Sequence, residues 1–166
     1  MEKSGWREKI DGCVAAYRHL FEMYETEIPE SGLLAGIHQP MLKYNFAKSS
    51  QVWEIFEADN MHYPMGNACF EYGIGGVLDR TAQRLSADTQ ESAVYRQGIH
   101  DVYVEVRSFL LRHEARARRL SEEAVDPADG KRLLRIAENC GALAKERPRG
   151  FVQALQLFWF LYLLRS

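Results

Sequence analysis

The chain has 166 residues, of which 46% are apolar and 27% charged, and its formal net charge is −2. A chain of this length can bury one hydrophobic core, so residues 1–166 are expected to form a single domain. Acidic and basic residues are mixed along the chain, which is typical of a solvated surface. The basic face that a nucleic-acid partner requires is therefore not expected.

Three cysteines, Cys13, Cys69 and Cys140, lie far apart in the sequence. This odd, unclustered set argues against a disulfide framework and a zinc site, and it favours a reducing cytoplasm. The N-terminus lacks an apolar stretch of signal-peptide length, so secretion is not indicated. The apolar C-terminal stretch, residues 151–164, contains two glutamines and is shorter than the roughly 20 apolar residues of a bilayer span. We expect a helix buried in protein there and no membrane segment.

Apolar residues recur at three- and four-residue steps over residues 5–27, which predicts a first helix that is broken at Pro29. A second helix is predicted over residues 40–58. Residues 59–67 read as a loop in which Asn67 caps the next helix. That third helix contains Gly73, Gly75 and Gly76, which cost helix stability unless another backbone packs closely against them. A phosphate loop is the alternative, but the glycines lack the strand–turn–helix context and spacing of such loops.

The strongest helical periodicity spans residues 91–124. Its apolar stripe consists of Tyr95, Ile99, Val102, Val106, Phe109, Leu110, His113, Ala117 and Leu120. Asp126 followed by Pro127 is typical of a helix cap, and a further helix is predicted after it. Pro148 ends that helix or opens the last one. Because no stretch alternates as a strand, we expect an all-α bundle of about six helices.

Single residues give only weak candidates for chemistry. His100 and His113 are 13 residues apart, which is not a metal-ligand spacing, so both are expected to be satisfied, partly buried histidines. Cys13 suits a nucleophile or radical site less well than a small apolar residue on a helix. His62 lies in the predicted loop, and because loops often carry functional residues, it is the histidine for which we expect a functional role. These features predict a helical domain but no reaction.

The C-terminal segment CGALAKERPRGFVQALQLFWFLYLL resembles a stretch of the glycyl radical enzymes, the pyruvate formate-lyase-like family. The matching residues are Cys140, Pro148, Phe151, Ala154, Leu155, Gln156, Trp159 and Phe160. Upstream, HYPMGNACFEYGIGGVLDRTAQRL is similar to another family segment, through His62, Pro64, Gly73 and Gly76. The resemblance covers residues 59–166 in order, whereas residues 1–58 match loosely as a helical lead-in.

The resemblance implies a place within a large enzyme. Members of the family fold as a ten-stranded barrel wrapped in helices, and two loops meeting inside the barrel carry a catalytic cysteine and a glycine. An activating enzyme, which uses an iron–sulfur cluster and S-adenosylmethionine, converts that glycine to a radical. The chemistry must be buried, since water and oxygen would destroy the radical. This chain is expected to correspond to the N-terminal helical part of such an enzyme.

Two short matches to the catalytic loops lie in the wrong places. The sequence around Cys13 resembles a cysteine loop but precedes the matched region, and Gly150 in RPRGF resembles a glycine loop but opens the last predicted helix. We therefore expect a part of a lyase, dehydratase or formate acetyltransferase of anaerobic metabolism that is inactive alone. No catalytic, cofactor or metal residue is expected in it, and only His62 is predicted to contact substrate. Its partner would be the rest of the parent enzyme.

The alternative left open is a non-catalytic helical interaction module that self-associates, as a homo-oligomer, through its apolar C-terminal helix. That helix is apolar on all sides, and an uncovered apolar helix favours association. We expect Trp159 and Phe160 to be buried in either case, against this chain's own helices or in an oligomer contact.

Overall fold

The computed structural model describes residues 5–37, 65–83 and 89–165, and it contains five helices in these ranges. They are α1 (Gly5–Met23), α2 (Met65–Gln83), α3 (Gln90–Glu123), α4 (Pro127–Leu143) and α5 (Phe151–Arg165). These ranges hold no β-strand, which confirms the all-α prediction with close to the expected number of helices. The predicted helix over residues 40–58 lies outside the described residues.

The 34-residue helix α3 is the centre of the fold, and α4, α1 and α2 all pack against it. It begins at Gln90, one residue before the predicted start, and Thr89 caps it by accepting a hydrogen bond from the Ser92 backbone N–H. Most of the predicted apolar stripe is buried. Tyr95 is an exception, with 61% of its surface exposed. Tyr103, which the stripe did not include, is buried.

The helix α1 ends at Met23, four residues before the predicted end. Its last turn is held by a side chain of α3, because Arg112 donates a hydrogen bond to the carbonyl oxygen of Phe21 at 2.5 Å. A cation near the C-terminal carbonyls also compensates the helix dipole. Immediately afterwards, the Tyr24 hydroxyl donates to the carbonyl oxygen of Leu163 at 2.6 Å, which directs the chain along α5.

The helix α2 begins at Met65, so the predicted cap at Asn67 is wrong: Asn67 already lies within the first helical turn. Gly73 has a φ of 72° and kinks the helix. A Cβ atom on Gly73 would overlap the backbone of Glu146 and Arg147, and one on Gly75 would overlap the carbonyl oxygen of Lys145. Close packing of another backbone is therefore the reason for these two glycines, as predicted.

The helix α4 starts at the predicted cap, where the Asp126 carboxylate accepts from the Ala128 backbone N–H at 2.9 Å and Pro127 occupies the first turn. Its apolar face packs on α3. The helix ends at Leu143, and residues 144–150 connect it to α5, so Pro148 lies in the connection between the two helices.

The helix α5 has one buried and one exposed face, although both are apolar. Phe160 is 1% exposed and Trp159 is half-buried, so the expected burial holds fully for Phe160 and in part for Trp159. The buried face consists of Gln156, Leu157, Phe160, Leu163 and Leu164. This face completes the core, together with Phe109 of α3 and Leu20 and Phe21 of α1.

Candidate functional site

The chain that directly follows α1 is held by side chains of other elements rather than by regular secondary structure of its own. We call residues 24–37 the linking segment. Within it, the Gly36 N–H donates to the carbonyl oxygen of Glu27 at 2.9 Å. Arg132 of α4 donates to the carbonyl oxygens of Pro29 and Gly32 at 3.2 and 3.1 Å. These side-chain donors connect α4 to an irregular segment across about 100 positions of sequence.

The helix α5 supplies the other contacts to the linking segment. The Gln156 side chain accepts from the Ala35 N–H at 2.6 Å and donates to the Ala35 carbonyl oxygen at 3.0 Å. Gln156 and Ala35 are both fully buried. The Trp159 indole N–H donates to the neighbouring carbonyl oxygen of Gly36 at 2.9 Å. These three hydrogen bonds place the linking segment on the apolar inner face of α5.

His113 is a fully buried residue of α3 whose ring faces α5. Its Nδ1 is 2.9 Å from the carbonyl oxygen of Phe109, which can only accept, so Nδ1 carries the proton and Nε2 the lone pair. Nε2 has no hydrogen-bond partner among the described residues, so the expectation of a satisfied histidine holds for one nitrogen only. Desolvation by burial lowers the pKa of His113 to about 4. Phe109 and Phe160 flank the ring at centroid distances of 4.4 and 5.0 Å.

The remaining histidines and the cysteines show no catalytic arrangement in the described residues. His100 Nδ1 is 2.9 Å from the Thr81 hydroxyl, as expected for a satisfied histidine. Burial raises the pKa of the Cys13 thiol, and it raises that of Cys140 to about 12, which is opposite to what a nucleophile needs. No group of three metal-ligating side chains occurs in the described ranges. His62 lies outside the described residues.

An open cleft of about 810 Å³ lies where α2 meets the connection to α5. The charged residues that line it are Asp79, Lys145, Glu146, Arg147 and Arg149. All of these are exposed, and the guanidinium of Arg149 lies 2.5 Å from the Glu146 carboxylate. The lining charges are of both signs and are solvated. The cleft therefore has neither the predominant charge of one sign nor the buried polar groups that a ligand site would have.

The outer face of α5 is apolar but is not covered by the core. Phe151, Leu155, Phe158 and Tyr162 are exposed by 81, 41, 45 and 37%, and we call these four residues the outer stripe. At 3.6 residues per turn they fall within an arc of about 60°. This arc lies opposite the buried face of the helix. No helix in the described residues is long and apolar enough to cross a membrane.

Sequence comparison places the chain in a family. A family model described as pyruvate formate lyase-like matches residues 14–165. The chain therefore belongs to the pyruvate formate lyase-like family. It is 38% identical over 52 residues to trans-4-hydroxy-L-proline dehydratase of Clostridioides difficile, and 30% identical over 100 residues to the probable dehydratase YbiW of Escherichia coli. These matches cover 31 and 57% of this chain, but only 7 and 12% of the two relatives.

The fold is shared with solved structures of much larger enzymes. A glycyl radical enzyme from Archaeoglobus fulgidus matches 99% of this chain with a TM-score of 0.71 at 15% identity. Hydroxyproline dehydratase from C. difficile matches 91% with a TM-score of 0.67 at 16% identity. The matches span 30 and 28% of those chains, so this chain corresponds to less than a third of either enzyme. The helical fold is therefore that of the helical part of glycyl radical enzymes.

Proposed function

We propose that this chain is the N-terminal helical part of a glycyl radical enzyme of the dehydratase class, and that it carries no part of the radical machinery. The observation behind the proposal is the family match over residues 14–165, on a fold that a glycyl radical enzyme shares. The two relatives named as dehydratases favour this class over a formate acetyltransferase. The free cysteines favour a cytoplasmic location.

The two short matches to catalytic loops do not have the surroundings of radical sites. Gly150 is exposed just before α5, and apart from its chain neighbours no atom of the described residues lies within 4 Å of the position that a Cβ atom would take there. A glycyl radical needs a site from which water and oxygen are excluded. Cys13 lies on α1 with a raised pKa and is partly exposed. The radical glycine, the catalytic cysteine and the activating enzyme's target therefore belong to the rest of the parent enzyme.

In this proposal the chain contributes structure to the parent enzyme, and His62 is its one residue proposed to contact substrate. The test is electron paramagnetic resonance on the 166-residue chain after anaerobic incubation with an activating enzyme and S-adenosylmethionine. We expect no glycyl radical doublet. A doublet that disappears in the Gly150→Ala variant would overturn the proposal.

A second candidate function is a helical module that pairs with another copy of itself through α5. The outer stripe favours this candidate, because exposed apolar patches of this kind mark interaction sites. Sedimentation equilibrium distinguishes the two candidates, since the module forms a stable dimer without any other polypeptide.

A further inference from the structure

The outer stripe is an interaction surface of limited size. Two of its four side chains are phenylalanines, and no charged residue lies between Phe151 and Leu164. From the exposed fractions, and about 200 Å² for a large aromatic side chain, the stripe presents roughly 400 Å² of side-chain surface. The inner face of the same helix is already occupied by the core. A partner can therefore reach only one side of α5.

The exposed area of the outer stripe favours a segment of the same polypeptide over a separate protein as the partner. A stable complex between separate proteins buries about 800 Å² on each partner, which is about twice what the stripe offers. A segment of the same polypeptide needs less area, because its effective concentration is set by the chain that connects the two parts. The solved relatives that share this fold have more than two thirds of their length outside the matched region. They therefore have enough additional chain to cover such a helix.

We propose that the outer stripe is the surface on which the remainder of the parent polypeptide docks, through an apolar segment that covers Phe151, Leu155 and Phe158. This inference rests on the proposed function and names the contact through which the helical part is joined to the rest. The inner face of α5 then belongs to the core of this chain, and the outer stripe belongs to a second core formed with the docked segment. A helix that is apolar on all sides is expected to be buried on all sides.

Cysteine labelling tests this contact. Phe158→Cys is introduced into the 166-residue chain and into full-length C. difficile trans-4-hydroxy-L-proline dehydratase in which residues 14–165 of this chain replace the structurally aligned segment. Val125→Cys is the control, because Val125 is 99% exposed at the turn between α3 and α4. Reaction with a maleimide is followed in both proteins, and the unsubstituted proteins give the background of the native cysteines, including the partly exposed Cys13.

The expected result is that labelling at position 158 slows by roughly tenfold or more in the full-length protein, since a covered thiol reacts only through local opening. Labelling at position 125 stays fast in both. Equal labelling at position 158 in both proteins, in an active full-length protein, would overturn the inference and leave the proposed function intact. Protection at position 158 in the short chain that rises with concentration would assign the stripe to a second copy instead. A full-length protein that does not fold would count against the proposed function itself.

Discussion

The side-chain amide of Gln156 bonds both backbone groups of Ala35, which lies 121 residues earlier in the chain. The side-chain amide pairs with Ala35 as a neighbouring peptide group would. Its oxygen accepts from the Ala35 N–H, and its NH2 group donates to the Ala35 carbonyl oxygen. Because both residues are fully buried, no water can replace either bond. This pair, with Trp159 beside it, attaches the linking segment to α5.

Replacing Gln156 by methionine keeps the volume of the side chain but removes both bonds to Ala35. We expect the free energy of unfolding to fall by roughly 2–4 kcal/mol, because a buried N–H and a buried carbonyl lose their partners. Urea unfolding measures this. The matched control is Gln97→Met, since Gln97 is exposed and donates to Asp101 at 2.7 Å on the same helix, so its loss is expected to change stability by less than about 0.5 kcal/mol. Equal losses of stability at positions 156 and 97 would refute the stabilising role of the hydrogen bonds between Gln156 and Ala35.

Stability is expected to depend on pH through His113. Its pKa is about 4 in the folded protein and 6.5 when exposed, so the unfolded chain binds the proton more readily between these values. The contribution of buried, neutral His113 to the free energy of unfolding is fully present above pH 6.5 and is lost as the pH falls towards 4. The loss amounts to about 3 kcal/mol from the difference in pKa.

The measurement is urea unfolding at pH 7 and at pH 4.5 for the wild type and His113→Leu. Both proteins share the same carboxylates, so the difference between their pH slopes isolates His113. We expect a flatter slope for His113→Leu, because the buried imidazole is the group that it removes. A wild-type slope retained in His113→Leu would show that the depressed pKa is not the cause.

Glycine-to-alanine substitutions are expected to have opposite signs at two helical positions. Gly75→Ala places a methyl group against the Lys145 carbonyl oxygen and should destabilise the fold by about 1–3 kcal/mol through overpacking. Gly12→Ala meets no atom within 4 Å on α1 and should stabilise it by about 0.5–1 kcal/mol, because alanine favours the helix. Thermal unfolding of the two variants measures both shifts. A stabilising Gly75→Ala would mean that α2 and residues 144–150 are not in close contact.

Local features of the fold could be predicted from the sequence. The period of α3 and the Asp126–Pro127 cap depend on neighbouring residues, and both are present in the structure. The three-glycine pattern predicted a close backbone contact, although not which segment makes it. The end of α1 and the start of α2 were misplaced, because tertiary hydrogen bonds such as that of Arg112 decide where α1 stops.

The contacts of the linking segment could not be predicted, since they join residues about 100 or more positions apart. One signal for the contact to Ala35 was available: Gln156 interrupts an otherwise apolar helix, and a polar group buried there requires a partner. That signal does not identify the partner. The same limit applies to the outer stripe, because periodicity alone does not distinguish the two apolar faces of α5.

If this chain supplies the helical part of a larger dehydratase, an enzyme that carries it in place of its own helical part should be active. The most direct measurement is turnover of trans-4-hydroxy-L-proline, under anaerobic conditions with the activating enzyme, by the full-length C. difficile enzyme that carries residues 14–165 of this chain. We expect dehydration by that protein, unchanged by Gly150→Ala, and none by the 166-residue chain alone. A folded full-length protein without activity, or activity that depends on Gly150, would contradict it.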